Sequence, residues 1–113
     1  MKIEQVEIIL RGDAENSVFI KALEFAEINQ TIAEITGVYQ PDHIGGLYHT
    51  AHGWVRDCPD YCTDLNAMHE AEKHIELEAW PEYINTLLRI SDEAVHASAR
   101  QRAEAFLRFY GKW

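Results

Sequence analysis

Several things are scarce in this chain, and each scarcity narrows what the protein is. Only two cysteines, Cys58 and Cys62, occur in 113 residues, too few for the disulfide framework of a small secreted domain. No stretch approaches the roughly 20 apolar residues of a membrane span. The N-terminal MKIEQVEIIL has two glutamates among its apolar residues, so it lacks the uninterrupted core of a signal peptide. A cytoplasmic protein with reduced thiols is expected. A glycine-rich phosphate loop is missing, because Gly45-Gly46 is followed by neither a lysine nor a helix start. Ser17, Ser91 and Ser98 fall at expected helix boundaries without the glycines of a nucleophile elbow. No enzyme is expected. Positive charge is scarce as well: 10 basic side chains stand against 19 acidic ones, a formal net charge of −9. Such a chain is repelled by nucleic acid and by anionic membranes.

What is present is the composition of an ordinary globular protein, with 47% hydrophobic and 26% charged residues and no low-complexity tract. The length suits one domain with a core large enough to need neither metal nor disulfide. Charge is unevenly placed. From Asp57 to Glu82 there are eight acids and only Lys73, whereas the last fourteen residues carry Arg100, Arg102, Arg108 and Lys112 against Glu104 alone. One reading is a solvated surface tuned for solubility. The sharper one is an acidic face for a partner protein with a basic surface, formed by Asp57, Asp60, Asp64, Glu70, Glu72 and Glu76, with Tyr48 and Trp54 as aromatic anchors. The competing role for Trp54 and Tyr61 is to close the core over the helices.

The periodicity is mostly helical. Ile3, Val6, Ile9 and Leu10 fit a helical stripe, although residues 6–10 would also serve as a strand. Val18, Ala22, Phe25, Ala26, Ile28, Ile32 and Ile35 then predict one long helix, or two joined near Glu27, stopped by Gly37. This apolar stripe would also suit a homo-oligomer interface. Residues 37–62 hold four of the six glycines and two of the three prolines, which predicts a loop with a short hairpin around Gly45-Gly46 and Gly53. A helix over about 64–78 follows, with Thr63 as its N-cap and an apolar stripe of Leu65, Met68, Ala71 and Ile75. Trp80-Pro81 opens another, ending near Ile90. Ser98 and Gln101 have capping-box spacing before a last helix that buries Ala99, Ala103, Phe106, Leu107 and Tyr110. Arg100, Arg102 and Arg108 lie off that face, and Gly111 stops it. The expectation is a mainly α, possibly α+β, single domain of four to five helices with at most a short sheet or hairpin.

The loop YHTAHGWVRDCPDYC poses a metal question. His49, His52, Cys58 and Cys62 carry the imidazole and thiolate ligands that zinc prefers, and a structural zinc module is one alternative for the whole protein. The C-x3-C spacing preceded by H-x2-H is a weak signal beside paired C-x2-C knuckles, and Cys62 sits where a small residue packs under a helix start. Packed thiols and surface histidines are the favoured reading, with no cofactor. His69 and His74 are too far apart around a helix to share a ligand, and His43 and His96 read as polar residues at turns.

Three segments, AEINQTIAEITG, PDYCTDLNAMHEAEKHI and HASARQRAEAFLRFYGKW, taken in that order, resemble the phage ABA sandwich domain family of small bacteriophage and prophage proteins. The similarity runs from about Glu27 to Trp113, which makes residues 1–26 look like an N-terminal addition. The resemblance implies layers of helix, sheet and helix and a phage accessory gene, and it brings no catalytic residue set. Combined with the acidity, it leads to a binding protein that inhibits a bacterial defence system by contact, in the manner of an anti-CRISPR, occupying a groove that normally holds nucleic acid. A virion or assembly component is the other alternative.

Overall fold

The computed structural model describes residues 14–43 and 45–113, with side chains from Glu24 onward. Among the described residues, four helices and a small three-stranded antiparallel sheet make up an α-dominant α+β domain, as the pattern of segments led us to expect. In chain order these are α1 (Ala14–Ile35), β1 (Tyr39–Gln40), β2 (Leu47–Thr50), β3 (Gly53–Val55), α2 (Leu65–Glu72), α3 (Trp80–Ser91) and α4 (Ala99–Phe109), with a 3-10 turn at Leu77–Ala79 before α3. The stripe predicted over residues 3–10 lies outside the described residues.

Helix α1 runs without a break through Glu27, so the described part of residues 1–26 is continuous with the helix that follows. Gly37, at φ 74°, turns the chain out of it, as a residue without Cβ does at no steric penalty. The segment expected to be a loop with a hairpin is a three-stranded meander in the order β1-β2-β3. Tyr48 is its centre, opposite Tyr39 on one side and Val55 on the other. Its ring packs 5.2 Å from that of Tyr39, and its hydroxyl donates to Gln30 Oε1 at 2.6 Å, which ties the sheet to α1.

Helix α4 is the central element, packing on α1, α2 and α3. The capping box is formed: Ser98 Oγ accepts from the Gln101 backbone N–H at 3.1 Å, and Gln101 Oε1 accepts from that of Ser98 at 2.9 Å. Ala103, Phe106 and Leu107 are fully buried among Ile28, Ile32, Met68, Tyr83 and Leu87. Alanine at 103 and 105 lets neighbouring helices approach closely, which is how a short helix buries much of its circumference.

Three expectations are corrected. Asp64, not Thr63, caps α2; its carboxylate accepts from the N–H groups of Asn66 and Ala67. Thr63 is already committed, because its hydroxyl donates to the Asp60 carboxylate. The helix also stops at Glu72 rather than near residue 78, since His74 and Ile75 bond back three residues, to Ala71 and Glu72 at 3.0 Å. That tightening turns Ile75 into the core. Arg102, expected off the apolar face, points inward with its side chain only 11% exposed.

The turn before α2 is held from a distance. Asn29 on α1, itself buried, donates to Asp60 Oδ1 at 3.1 Å and accepts from the Cys62 backbone N–H at 3.0 Å. Removing its amide strands a buried N–H, so Asn29→Ala is expected to lower stability by about 1–3 kcal/mol, seen as a fall in the urea midpoint with an unchanged m-value.

Candidate functional site

The residues singled out by charge and chemistry divide into two groups. Some build the fold. Asp60 organises the turn, Asp64 caps α2, and Tyr48 pins the sheet. Glu72 leaves the surface altogether: it is 3% exposed, accepting from Arg102 Nη1 at 2.9 Å and from the Tyr83 hydroxyl. A buried carboxylate needs such partners. Glu72 therefore does not belong to an acidic interaction face.

The others remain at the surface. Asp57, Glu70 and Glu76 are exposed, and Glu70 pairs with Lys73 at 2.8 Å. The Lys73 hydrogen bond and charge hold the Glu70 carboxyl below its ordinary value, with His52 adding to the effect. Trp54 was a candidate both for closing the core and for anchoring a partner. It is half exposed, whereas Tyr61 is buried. Its indole stands between two imidazoles, His43 at 4.4 Å and His49 at 4.6 Å. The cross-strand register puts His49 directly opposite Trp54, and cross-strand neighbours at that spacing interact through their side chains.

Between this hairpin and α2 lies a cleft of about 850 Å³. His49 and His52 line it from the hairpin side, and His69 and His74 from α2 and the turn that follows it. Asp57, Asp64, Glu70 and Lys73 share the rim, with Tyr61 and Val38 also lining it. The volume falls in the range of binding clefts. No spacing rule could have found it, because His49 and His69 are brought together only when the hairpin folds against α2.

The proposed zinc ligands do not come together. Among the described residues there is no group of three or more His, Cys, Asp or Glu side chains able to hold a metal ion. His49 and His52 face the cleft, whereas Cys62 is buried with its thiol 3.9 Å from the Phe25 carbonyl. Burial pushes the Cys62 thiol up to about 12 and the Cys58 thiol up to about 11. Zinc binds the thiolate form, and burial favours the thiol form of both side chains.

At the other end of the chain the basic side chains are largely internally matched. Glu104 accepts from Arg108 Nε at 2.9 Å and pairs with Arg100 at 3.3 Å. Both guanidinium groups lie over the Trp113 ring, at 5.0 and 5.1 Å from its centre, a favourable placement for a cation on an indole face. The negative charge of the middle of the chain therefore has no counterpart of comparable size on α4.

No helix among the described residues is long and apolar enough to cross a membrane. Comparison with protein-family models, with curated proteins and with solved structures finds no match for this chain.

Proposed function

We propose that this is a binding protein that acts by contact with a basic surface of a partner protein, through the face made by the β2–β3 hairpin, the cleft and α2. The observation that carries this reading is the half-exposed Trp54 beside a cleft rimmed by carboxylates. An amphipathic aromatic with charged neighbours is the usual composition of an interface anchor and its rim. A net charge of −9 favours encounter with a positively charged surface and disfavours nucleic acid itself. The reading requires no reaction and no cofactor.

The resemblance to phage accessory proteins extends the proposal to a host defence protein, such as a CRISPR nuclease complex, whose basic groove ordinarily holds nucleic acid. Contact with that groove would block it by competition. The extension rests on the resemblance and on charge complementarity, and its failure would leave the binding reading intact.

The test is affinity capture from bacterial lysate with the wild type and with a variant carrying Asp57→Lys, Glu70→Lys and Glu76→Lys, all exposed positions. The burial of Glu72 keeps it out of this set, because a lysine there would disrupt the core. Specific capture of a basic-surfaced protein, lost in the variant and weakened by Trp54→Ala, supports the proposal; undiminished capture by the charge-reversed variant removes it. The defence extension predicts that expressing the protein restores plaque formation by a phage that the host otherwise restricts.

A further inference from the structure

Four of the six histidines line one cleft, and all four are exposed. They come from two elements, His49 and His52 from the hairpin and His69 and His74 from α2 and its following turn. The other charged groups lining the cleft are Asp57 beyond β3, Asp64 and Glu70 on the α2 side, and Lys73. With neutral imidazoles, three carboxylates and one ammonium leave the cleft with a formal charge of −2; four imidazolium groups bring it to +2. Imidazole is the side-chain group whose ordinary charge change falls between neutral and mildly acidic pH.

We propose that this cleft is a docking site for an arginine- or lysine-bearing segment of a partner protein, and that protonation of its four histidines switches the docking off. The proposal rests on the binding reading above and adds to it the place, the chemistry of the segment and its control by protons. At neutral pH the carboxylates face the segment with only Lys73 opposing them. In mild acid both the hairpin and the α2 side turn cations towards the same volume, and like charges at close range oppose a cationic ligand. Glu70 on α2 and His52 on the hairpin illustrate the arrangement: after the larger effect of Lys73, the charge of His52 also helps to hold the Glu70 carboxyl low.

The probe is an octa-arginine peptide titrated into the full chain at low salt, at pH about 7.5 and about 5.5, where the histidines are the side chains that change charge. Circular dichroism at both values establishes that the fold is kept. The wild type is expected to bind at neutral pH and to lose affinity on the order of tenfold or more in acid, as a local charge reversal within a Debye length produces. A variant with His49→Gln, His52→Gln, His69→Gln and His74→Gln is expected to bind equally at both pH values. It retains His43 and His96, which lie outside the cleft lining. The double variant His69→Gln/His74→Gln, expected to lose about half of the pH response on a logarithmic scale, covers the case in which four changes disturb the hairpin. Equal wild-type affinity at both pH values would overturn the switch while leaving the basic-partner reading intact. No saturable binding at either pH would overturn both, and a variant as pH-sensitive as the wild type would place the response outside the cleft.

Discussion

Arg102→Ala is expected to destabilise the fold by about 3–5 kcal/mol, the range seen when one partner of a buried ion pair is removed. The side chains concerned are largely sealed off: Arg102 is 11% and Glu72 5% exposed. Arg102 Nη1 donates to Glu72 Oε2 at 2.9 Å, Nη2 to the Ala94 carbonyl, and Nε to the Ala97 carbonyl at 3.4 Å. One guanidinium thus joins α2, α4 and the segment between α3 and α4. Without it the Glu72 carboxylate stays buried with the Tyr83 hydroxyl as a hydrogen-bond donor and His69 Nε2 4.0 Å away, and two carbonyls each lose a bond. The check is equilibrium unfolding in urea. Removing both charges, as Arg102→Met with Glu72→Met, is expected to recover much of the loss, because paired apolar replacements leave no stranded charge. Tyr83→Phe keeps the ring that packs edge-on against Trp80 and Phe109 and loses the hydroxyl's bond to the Glu72 carboxylate and its longer one to the Arg102 carbonyl at 3.4 Å, so its effect is expected to be smaller, about 1.5–3 kcal/mol.

Alkaline pH is expected to unfold the protein well before its arginines are affected. Burial pushes the Cys62 thiol up to about 12 and the Cys58 thiol up to about 11, from an ordinary value of 9.0. The Tyr61 phenol is pushed up to about 12 from 10.0, and that of Tyr83 is also raised, by burial first and then by the Glu72 carboxylate it bonds to. All four groups shift in the same direction. Below pH about 9 the thiols are protonated in both folded and unfolded chains, and the stability is fully present. As pH rises from 9 through 11 to 12, the unfolded chain gives up protons that the folded chain retains. Each group ionised only in the unfolded chain then removes about 1.4 kcal/mol per pH unit. Urea midpoints are therefore expected to be level between about pH 7 and 9 and to fall steeply by pH 11, and Cys62→Ala is expected to flatten the first part of that fall.

Much of the architecture was legible from short-range chemistry. Ser98 with Gln101, Pro81 behind Trp80, and Gly37 after an apolar stripe each announce a helix end through bonds made within about one turn. The hairpin was legible in the same way, since Gly45, Gly46 and Gly53 all take positive φ, conformations that glycine adopts freely. Thr63 shows where local reasoning stops. It has the chemistry of an N-cap, but Asp60 engages its hydroxyl and Asn29, 31 residues before Asp60, holds that carboxylate. The cap passes to Asp64.

The acids illustrate the same division at the candidate site. By composition Glu72 and Glu70 are two glutamates on one helix, equally suited to an acidic face. Their difference comes from α4, which presents Arg102 to one and leaves the other in water beside Lys73. Arg102 is 30 residues from Glu72, and no periodicity of a single helix encodes which carboxylate such a residue meets. The four-histidine cleft has the same origin, in the docking of the hairpin against α2.

By itself the sequence determined that the chain is acidic, α-dominant with a small sheet, and punctuated into its helices where local caps and glycines dictate, because those properties depend on composition and on bonds a few residues long. The tertiary structure alone decided which acids are buried, which aromatic stays in water, and which histidines share a cavity. Those outcomes depend on where elements distant in sequence come to rest, and the free energy that places them is the burial of apolar faces, which is not directional about the polar residues carried along with them.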